Sequence, residues 1–413
     1  MLKSSPTQNL VKLDGRTGEG GGQVVRVAVA LAALTRTPIR VDNVRGNRPG
    51  HGRTVRGGGL KAQHVACIQC LADATDADTK DCFIGSESFE FKAKLSPEAI
   101  KRRNITVQAN SAASILLVFQ ATLPFFLFAG DERNSPITLT IQGGTNVSFS
   151  LSFEYLDQVL LPALERFGVR VERELEHRGW SHGSLQIGSA KFTITPLPQG
   201  ESLKRPDWPL EKGEITRIDV SILVPKDIQE PLMKTLKFEL GLVFPGVEIN
   251  FLLVDNSKHR ARNYTLLVAH TSNGLRFGRD WLYDGNTRNK SADDLAAEIA
   301  ARVVNDLDAE IRKAGVVDEY LQDQLVVFQA LASGESSIPR TAEALTSDKE
   351  SLDRTDEPFG DGSMHTTTAR WVASQLLPRV KWIDGGRICH GAAWKTSRAE
   401  TSIEEPLDGM HIK

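Results

Sequence analysis

Two periods of apolar and polar positions, near 3.6 and near 2, alternate along the chain, and the switches between them mark out its elements. Residues 24–34 (VVRVAVALAAL) are apolar almost throughout and predict a buried helix, whereas 39–44 (IRVDNV) alternate and predict a strand. The pattern goes on to predict a helix over 60–72, a strand from Ile105 (ITVQ), an apolar helix over 111–128 and a strand and turn in ITLTIQGGTN. A helix over 156–167 and a strand over 169–176 follow. Helix-then-strand units of similar size recur, which points to an α/β core of related modules. Near Gly200 the texture changes. RPDWPLEKGE leads into ITRIDVSILV, a helix running through Phe238, VEINFLLV and YTLLVAHT. This is the pattern of a smaller inserted α/β domain over 201–289, within a core of 1–200 and 290–413. Helical spacing resumes in 292–312, in VVDEYLQDQLVVFQALASG and in 366–377. The polar, acidic run over 340–362 predicts a mobile loop within the core.

Composition narrows the class. The chain has 413 residues, 40% hydrophobic and 25% charged, enough for a soluble protein of more than one domain. A formal net charge of −2 means that any polyanion must be met by a local patch rather than by the whole surface. Four cysteines, Cys67, Cys70, Cys82 and Cys389, are too few for a disulfide scaffold, and the N-terminus lacks the regions of a secretory signal. The expectation is a reducing, intracellular setting, in the nucleus (nucleoplasm) or the cytoplasm. Cys67 and Cys70 have metal-like spacing, but they sit in mid-helix without a second paired cluster, which argues against zinc. The longest apolar run, 115–129, is interrupted by Gln120, Thr122 and Pro124 and is too short to span a bilayer, so no membrane partner is expected.

The candidate chemistry gathers around 14–26, DGRTGEGGGQVVR. Gly20, Gly21 and Gly22 lie between Glu19 and Gln23 at the entrance of the first helix. Glycines let a backbone approach an anion closely, and a helix start adds partial positive charge. No Lys-Ser/Thr pair follows, so this is not a P-loop, nor is it the spaced-glycine dinucleotide fingerprint. The glycines alone fit a flexible turn equally well; Arg26 and the segment that follows favour phosphate. Over 36–61, Arg36, Arg40, Arg45, Arg48, Arg53, Arg56 and Lys61 face a single acid, Asp42. Such a run is either a solvated face or a phosphate-binding loop. His64 lies just downstream, either packed or in contact with substrate. Gln120, deep in an apolar helix, is either a structural hydrogen-bonder or a pocket-lining group. Asp323 and Gln324 interrupt another apolar helix, and a buried acid is costly unless paired or facing a cavity. His365 precedes the helix 366–377, at the end that favours phosphate.

In chain order, GEGGGQVVR (18–26), VRGNRPG (44–50), AQH (62–64), GGTN (143–146), VDEYLQDQLVVFQALA (317–332) and MHTTTA (364–369) resemble the RNA 3′-terminal phosphate cyclase family. The resemblance runs over about 13–377. It implies a core of repeated βαβαββ modules with a smaller α/β domain inserted late. It also implies an ATP-driven modification of RNA 3′-phosphate ends through a histidine-AMP intermediate and an RNA-adenylate, ending in a 2′,3′-cyclic phosphate. Carried over residue by residue, His365 is the nucleophile and Glu19 holds or orients a divalent metal, Mg2+ or Mn2+. Gly20, Gly21, Gly22, Gln23 and Arg26 touch ATP phosphates, and Gln120 belongs to the nucleotide pocket. Arg45, Arg48 and His64 meet ATP phosphates or the RNA 3′-phosphate. Tyr320 offers a face to adenine, and Asp323 with Gln324 orients His365 or the metal. The chain departs from the family pattern in a longer HGRTVRGGGLK stretch, in VSFSLSFEY after GGTN, in WSHGSLQIG and in a long loop before His365. Two rival readings are a catalytically inactive relative acting in ribosomal RNA processing and an enolpyruvyl-transferase-like enzyme. Retention of His365 with Glu19, Arg26, Asp323 and Gln324 favours the cyclase.

Overall fold

The computed structural model describes residues 9–48, 57–109, 111–313, 315–338 and 356–396. The first unit runs β1 (Val11–Asp14), α1 (Gly22–Thr35), β2 (Ile39–Asp42), α2 (Ala62–Thr75), β3 (Asp78–Lys80) and β4 (Phe89–Lys92). Its sheet order is β1-β2-β4-β3. β1 and β2 are parallel, with Val11 opposite Ile39, and β4 is antiparallel to both β2 and β3.

The second unit repeats this plan. It contains β5 (Asn104–Gln108), α3 (Ile115–Leu127), β6 (Ile137–Gly143), a second helical stretch, β7 (Arg170–His177) and β8 (Gly188–Thr195). That stretch consists of α4 (Phe153–Tyr155), a π turn (Leu156–Leu160) and α5 (Leu161–Glu165). The order β5-β6-β8-β7 and its parallel and antiparallel pairings match those of the first sheet.

A differently ordered sheet, β10-β9-β11-β12, follows. It is built from β9 (Ile215–Val224), β10 (Glu248–Asn256), β11 (Tyr264–Thr271) and β12 (Arg276–Leu282), with α6 (Lys226–Val243) and α7 (Ala292–Ile311). α7 lies against α6, β11 and β12. The last unit contains α8 (Glu319–Leu331), β13 (Glu335–Ser337), α9 (Met364–Leu376), β14 (Lys381–Ile383) and β15 (Ile388–His390). Its three described strands are ordered β13-β15-β14, which is the first two sheets' order without their leading strand. The protein is therefore a mixed α/β fold of repeated βαβαββ modules with a further α/β unit between them.

Packing follows from the apolar runs. α1 is buried from Gln23 to Leu34 because it lies between α2, α3 and α9; a helix apolar on all sides has no face to give to water. α3 is equally apolar and carries Pro124 inside it. No helix among the described residues is long and apolar enough to cross a membrane.

Several helix starts differ from the spacing-based expectation, each because a cap decides it. α3 begins at Ile115, since Ser114 accepts a hydrogen bond from Leu117 N. The helix expected from Leu156 begins at Phe153, where Ser152 caps Tyr155 N. α9 begins at Met364, because the Ser363 hydroxyl accepts from Thr366 N at 3.2 Å. His365 thus sits inside the first turn of α9 rather than ahead of it. Arg53, Arg56 and most of the 340–362 loop lie outside the described residues.

Candidate active site

The glycine turn is shaped by close approach. Gly20 has φ +59 and a Cβ there would collide with the Asn47 side chain. A Cβ on Gly22 would stand 2.6 Å from His64 Nε2 and 2.7 Å from Arg26 Nη1. Gly21 is the N-cap position of α1, with no side-chain cap, and the Glu19 carboxylate stands where a Cβ on Gly21 would be, at the helix end that favours negative charge.

From α1, Gln23 and Arg26 point inward and are buried. Arg26 Nε donates to Gln120 Oε1 of α3 at 2.9 Å, and Arg26 Nη2 donates to Gln23 Oε1. Gln23 Nε2 in turn donates to Asp323 Oδ2 of α8 at 3.3 Å, and Gln324 Nε2 donates to the same oxygen at 3.0 Å. Gln120 is half-buried and has its amide oxygen satisfied by Arg26. Burial lowers the Arg26 guanidinium to about 10, with Asp323 resisting. Burial likewise raises the Asp323 carboxyl, against the pull of His365 and Arg26.

His365 closes the group. Its Nδ1 is 3.1 Å from Glu19 Oε2, and the other oxygen of Glu19 is paired with Arg48. The Glu19 carboxylate is 9% exposed, whereas His365 and Arg48 are 47% and 43% exposed at the mouth. Glu19 N donates to Thr368 Oγ1 of α9 at 3.1 Å, which stitches the glycine turn to the helix that carries His365. Burial lowers the His365 pKa, and Arg26 and Arg48 push the same way while Asp323 opposes them. Burial and the two arginines thus favour the neutral imidazole.

His64 lies against the glycine turn at Gly22. It is buried, and its Nδ1 accepts from Lys61 N at 3.1 Å, which caps α2. Burial, then Arg26, Arg45 and Lys61, drive its pKa well below the ordinary value. Arg45 is held in the left-handed region (φ 55) and donates to Gly59 O at 3.3 Å.

Beside His365 opens a cleft of about 640 Å³, whose lining includes Arg26, Asp323, Gln324, Tyr320 and His365. The Tyr320 ring lies 4.5 Å from the Arg279 guanidinium and meets Tyr155 edge-on at 6.4 Å. Residues 147–152, part of the 147–155 segment that departs from the family pattern, form another wall, with Phe149 87% exposed. Gln23, Arg26, Gln120, Asp323 and Gln324 are thus joined by hydrogen bonds, and Glu19 meets both His365 and Arg48 beside them.

Asp318 and Asp280 are among the acids there that were not singled out. Asp318 caps α8 and is fully buried. It accepts from Tyr320 N and Leu321 N at 3.0 Å, from Tyr155 OH at 2.6 Å and from Gly278 N at 2.9 Å. Its sequence signal is the acid ahead of a helical run in VDEYL. Asp280, on β12, lines the cleft; burial raises its carboxyl to about 6, although Tyr264 OH donates to it at 2.9 Å. Nothing in the sequence pattern marks it.

Among the described residues no group of three or more His, Cys, Asp or Glu could hold a metal by itself. Cys67 and Cys70 are buried, with thiol pKa values raised by burial, to about 12 for Cys67. Glu19 is the carboxylate that fits a hard divalent ion, provided phosphate oxygens complete the shell.

Comparison with known proteins agrees with the geometry. The family model described as RNA 3′-terminal phosphate cyclase matches residues 17–380. The chain is 33% identical over 333 residues to an RNA 3′-terminal phosphate cyclase of Thermococcus kodakarensis, covering 79% of this chain and 87% of that protein. It is 32% identical over 378 residues to one of Thermococcus gammatolerans, covering 91% and 94%. It is 29% identical over 338 residues to one of Drosophila melanogaster, covering 80% and 86%. With the glycine turn, the Gln23–Asp323 joint and His365 all inside the matched span, the chain belongs to the RNA 3′-terminal phosphate cyclase family.

Proposed function

We propose that this enzyme converts an RNA 3′-terminal phosphate to a 2′,3′-cyclic phosphodiester at the expense of ATP, with His365 carrying AMP between the two. The observation that carries this reading is the contact between His365 Nδ1 and Glu19 Oε2 at 3.1 Å. With the Glu19 carboxylate beside Nδ1, a neutral imidazole that carries its proton on Nδ1 has the Nε2 lone pair free to attack. The lowered pKa of His365 supports the same protonation state.

In the first step an Nε2–P bond forms at the α-phosphate of ATP and the P–O bond to pyrophosphate breaks. An oxygen of the RNA 3′-phosphate then attacks the α-phosphorus, the N–P bond breaks, and an RNA-adenylate results. Finally the neighbouring 2′-hydroxyl attacks the RNA phosphorus, loses its proton, and AMP leaves. Arg48 and the start of α1 stabilise charge on the transferring phosphates. Tyr320, backed by Arg279, gives adenine a flat face, and Gln23, Gln120 and Gln324 hold Arg26 and Asp323 in register. Glu19 would hold Mg2+ or Mn2+ together with ATP phosphates. Such an ion supplies charge neutralisation at the phosphates.

The test is incubation of the protein and its His365→Ala variant with α-labelled ATP and a divalent metal. Acid-labile, base-stable label on the parent alone supports the reading. No label on folded parent protein refutes it in favour of the inactive relative acting in ribosomal RNA processing.

A further inference from the structure

Three loops are linked at the cleft, 178–187 and 283–290 through His182 and Asp284 in its wall and 257–263 through Arg260 and Arg262. They are bonded into one rim. His182 lines the cleft, and its Nε2 lies 2.8 Å from Ser148 Oγ. Its carbonyl accepts from Arg262 Nε at 3.2 Å, and Arg262 also donates to Gln186 Oε1 and Ser184 O, both at 2.7 Å. The His259 ring abuts Gly183, where an added Cβ would lie 2.6 Å from Cε1. Arg260 donates to Thr287 O at 3.2 Å and to Lys290 O at 2.6 Å. Asp284 belongs to the third loop and to the cleft wall alike.

The charge of this rim is one-sided. The three loops contain Arg178, Lys258, Arg260, Arg262, Arg288 and Lys290 against one acid, Asp284, in a chain whose net charge is −2. Arg178 is committed to Glu154 and Asp255, and Lys290 to Glu298. Arg260 and Arg262 donate to neutral oxygens, and among the described residues neither pairs with a carboxylate. Lys258 and Arg288 are exposed. Apolar side chains interleave with these cations in the open: Leu185 on the rim and Phe149 at the cleft are both largely exposed.

Cations along a ridge, interrupted by exposed flat or apolar groups, suit a flexible polyanion that carries bases. We infer that this rim binds single-stranded RNA upstream of the reacting 3′ end, through its phosphates at Lys258, Arg260 and Arg288 and with a base against Phe149. The inference rests on the cyclase reading for the identity of the polyanion. It assigns a second basic surface, separate from the arginines of residues 36–61 and contributed largely by the β9–β12 unit.

The experiment compares the protein with a Lys258→Ala/Arg288→Ala variant, by fluorescence anisotropy of a labelled single-stranded oligoribonucleotide of about twelve nucleotides ending in a 3′-phosphate. No ATP is present. Each phosphate contact on a single strand contributes about 0.7 to the slope of log affinity against log salt. The variant is therefore expected to lose about 1.4 of that slope and about tenfold in affinity near 0.1 M salt. Labelling of the variant by α-labelled ATP and its affinity for a dinucleotide 3′-phosphate stay unchanged. Unaltered slope and affinity for the long strand overturn the inference, as does equal binding of a duplex of the same length. Because binding is read without ATP, failure of His365 labelling in the parent would refute the cyclase reading while leaving this outcome legible on its own.

Discussion

Replacing Gln23 with methionine keeps the volume of a fully buried side chain and removes both of its hydrogen bonds. One of them accepts from the Arg26 guanidinium and the other donates to the Asp323 carboxylate at 3.3 Å. Hydrogen bonds to charged groups are worth about 1.5–3 kcal/mol each, because the charged partner is left short in a medium that cannot replace water. Arg26 keeps Gln120, and Asp323 keeps Gln324, so neither charge is orphaned. The expected loss is about 3–6 kcal/mol. Gln329, also on α8 and buried, serves as control, since its amide donates to a neutral hydroxyl, Ser336 Oγ, at 3.2 Å. Gln329→Met is expected to cost about 0.5–1.5 kcal/mol. Urea unfolding followed by tryptophan fluorescence reads both variants, because Trp371 on α9 and Trp382 on β14 are buried in the same unit as α8. Equal losses for the two variants would refute the claim that Gln23 is a joint between two charges.

Gly22→Ala is expected to destabilise by about 1–3 kcal/mol, as small-to-large changes in a packed interior do, and to abolish labelling by ATP. The new Cβ would displace Arg26 and His64 together, and retained labelling would show that the turn yields. Asp280 gives a pH signature. Its folded carboxyl holds a proton up to about pH 6, while the unfolded group releases it near 3.8. The folded state therefore binds more protons in that window, and stability falls as pH rises through it. Asp280→Asn should remove this slope and stabilise the protein near pH 7 by up to about 3 kcal/mol, measured by urea titrations at pH 4 and pH 7. A variant that keeps the wild-type slope would exclude Asp280 as its source.

How far the sequence could be read depended on the length over which a physical signal was spread. α1 and α8 are long apolar runs, and their burial was legible from period alone. β13, β14 and β15 have three residues each, too few to set an alternation, and none was anticipated. The start of α9 was misplaced because Ser363 reads as the end of a polar loop until its hydroxyl is seen on Thr366 N. The family resemblance and the charge pattern nominated the candidate residues, but the wiring among them was not legible. Gln23 and Asp323 are 300 positions apart, and no local spacing says that one amide will meet that carboxylate. His64 shows the same gap: no local pattern says that its Nδ1 will accept from Lys61 N at the start of α2 while its ring lies beneath Gly22.

Asp318 joins Tyr155 of the second unit, Gly278 of β12 and the start of α8 through one buried carboxylate. The strands and helices of residues 215–311 are consequently not a cassette that could be trimmed away to leave a minimal catalyst. Excision would strip Asp318 of the Gly278 amide and of the Arg279 charge beside it, and Tyr320 of the cation behind its ring. A shortened relative that stays active would have to supply a new anchor for α8 at that point, and the replacement should be visible there as a basic side chain or a hydroxyl reaching the helix cap.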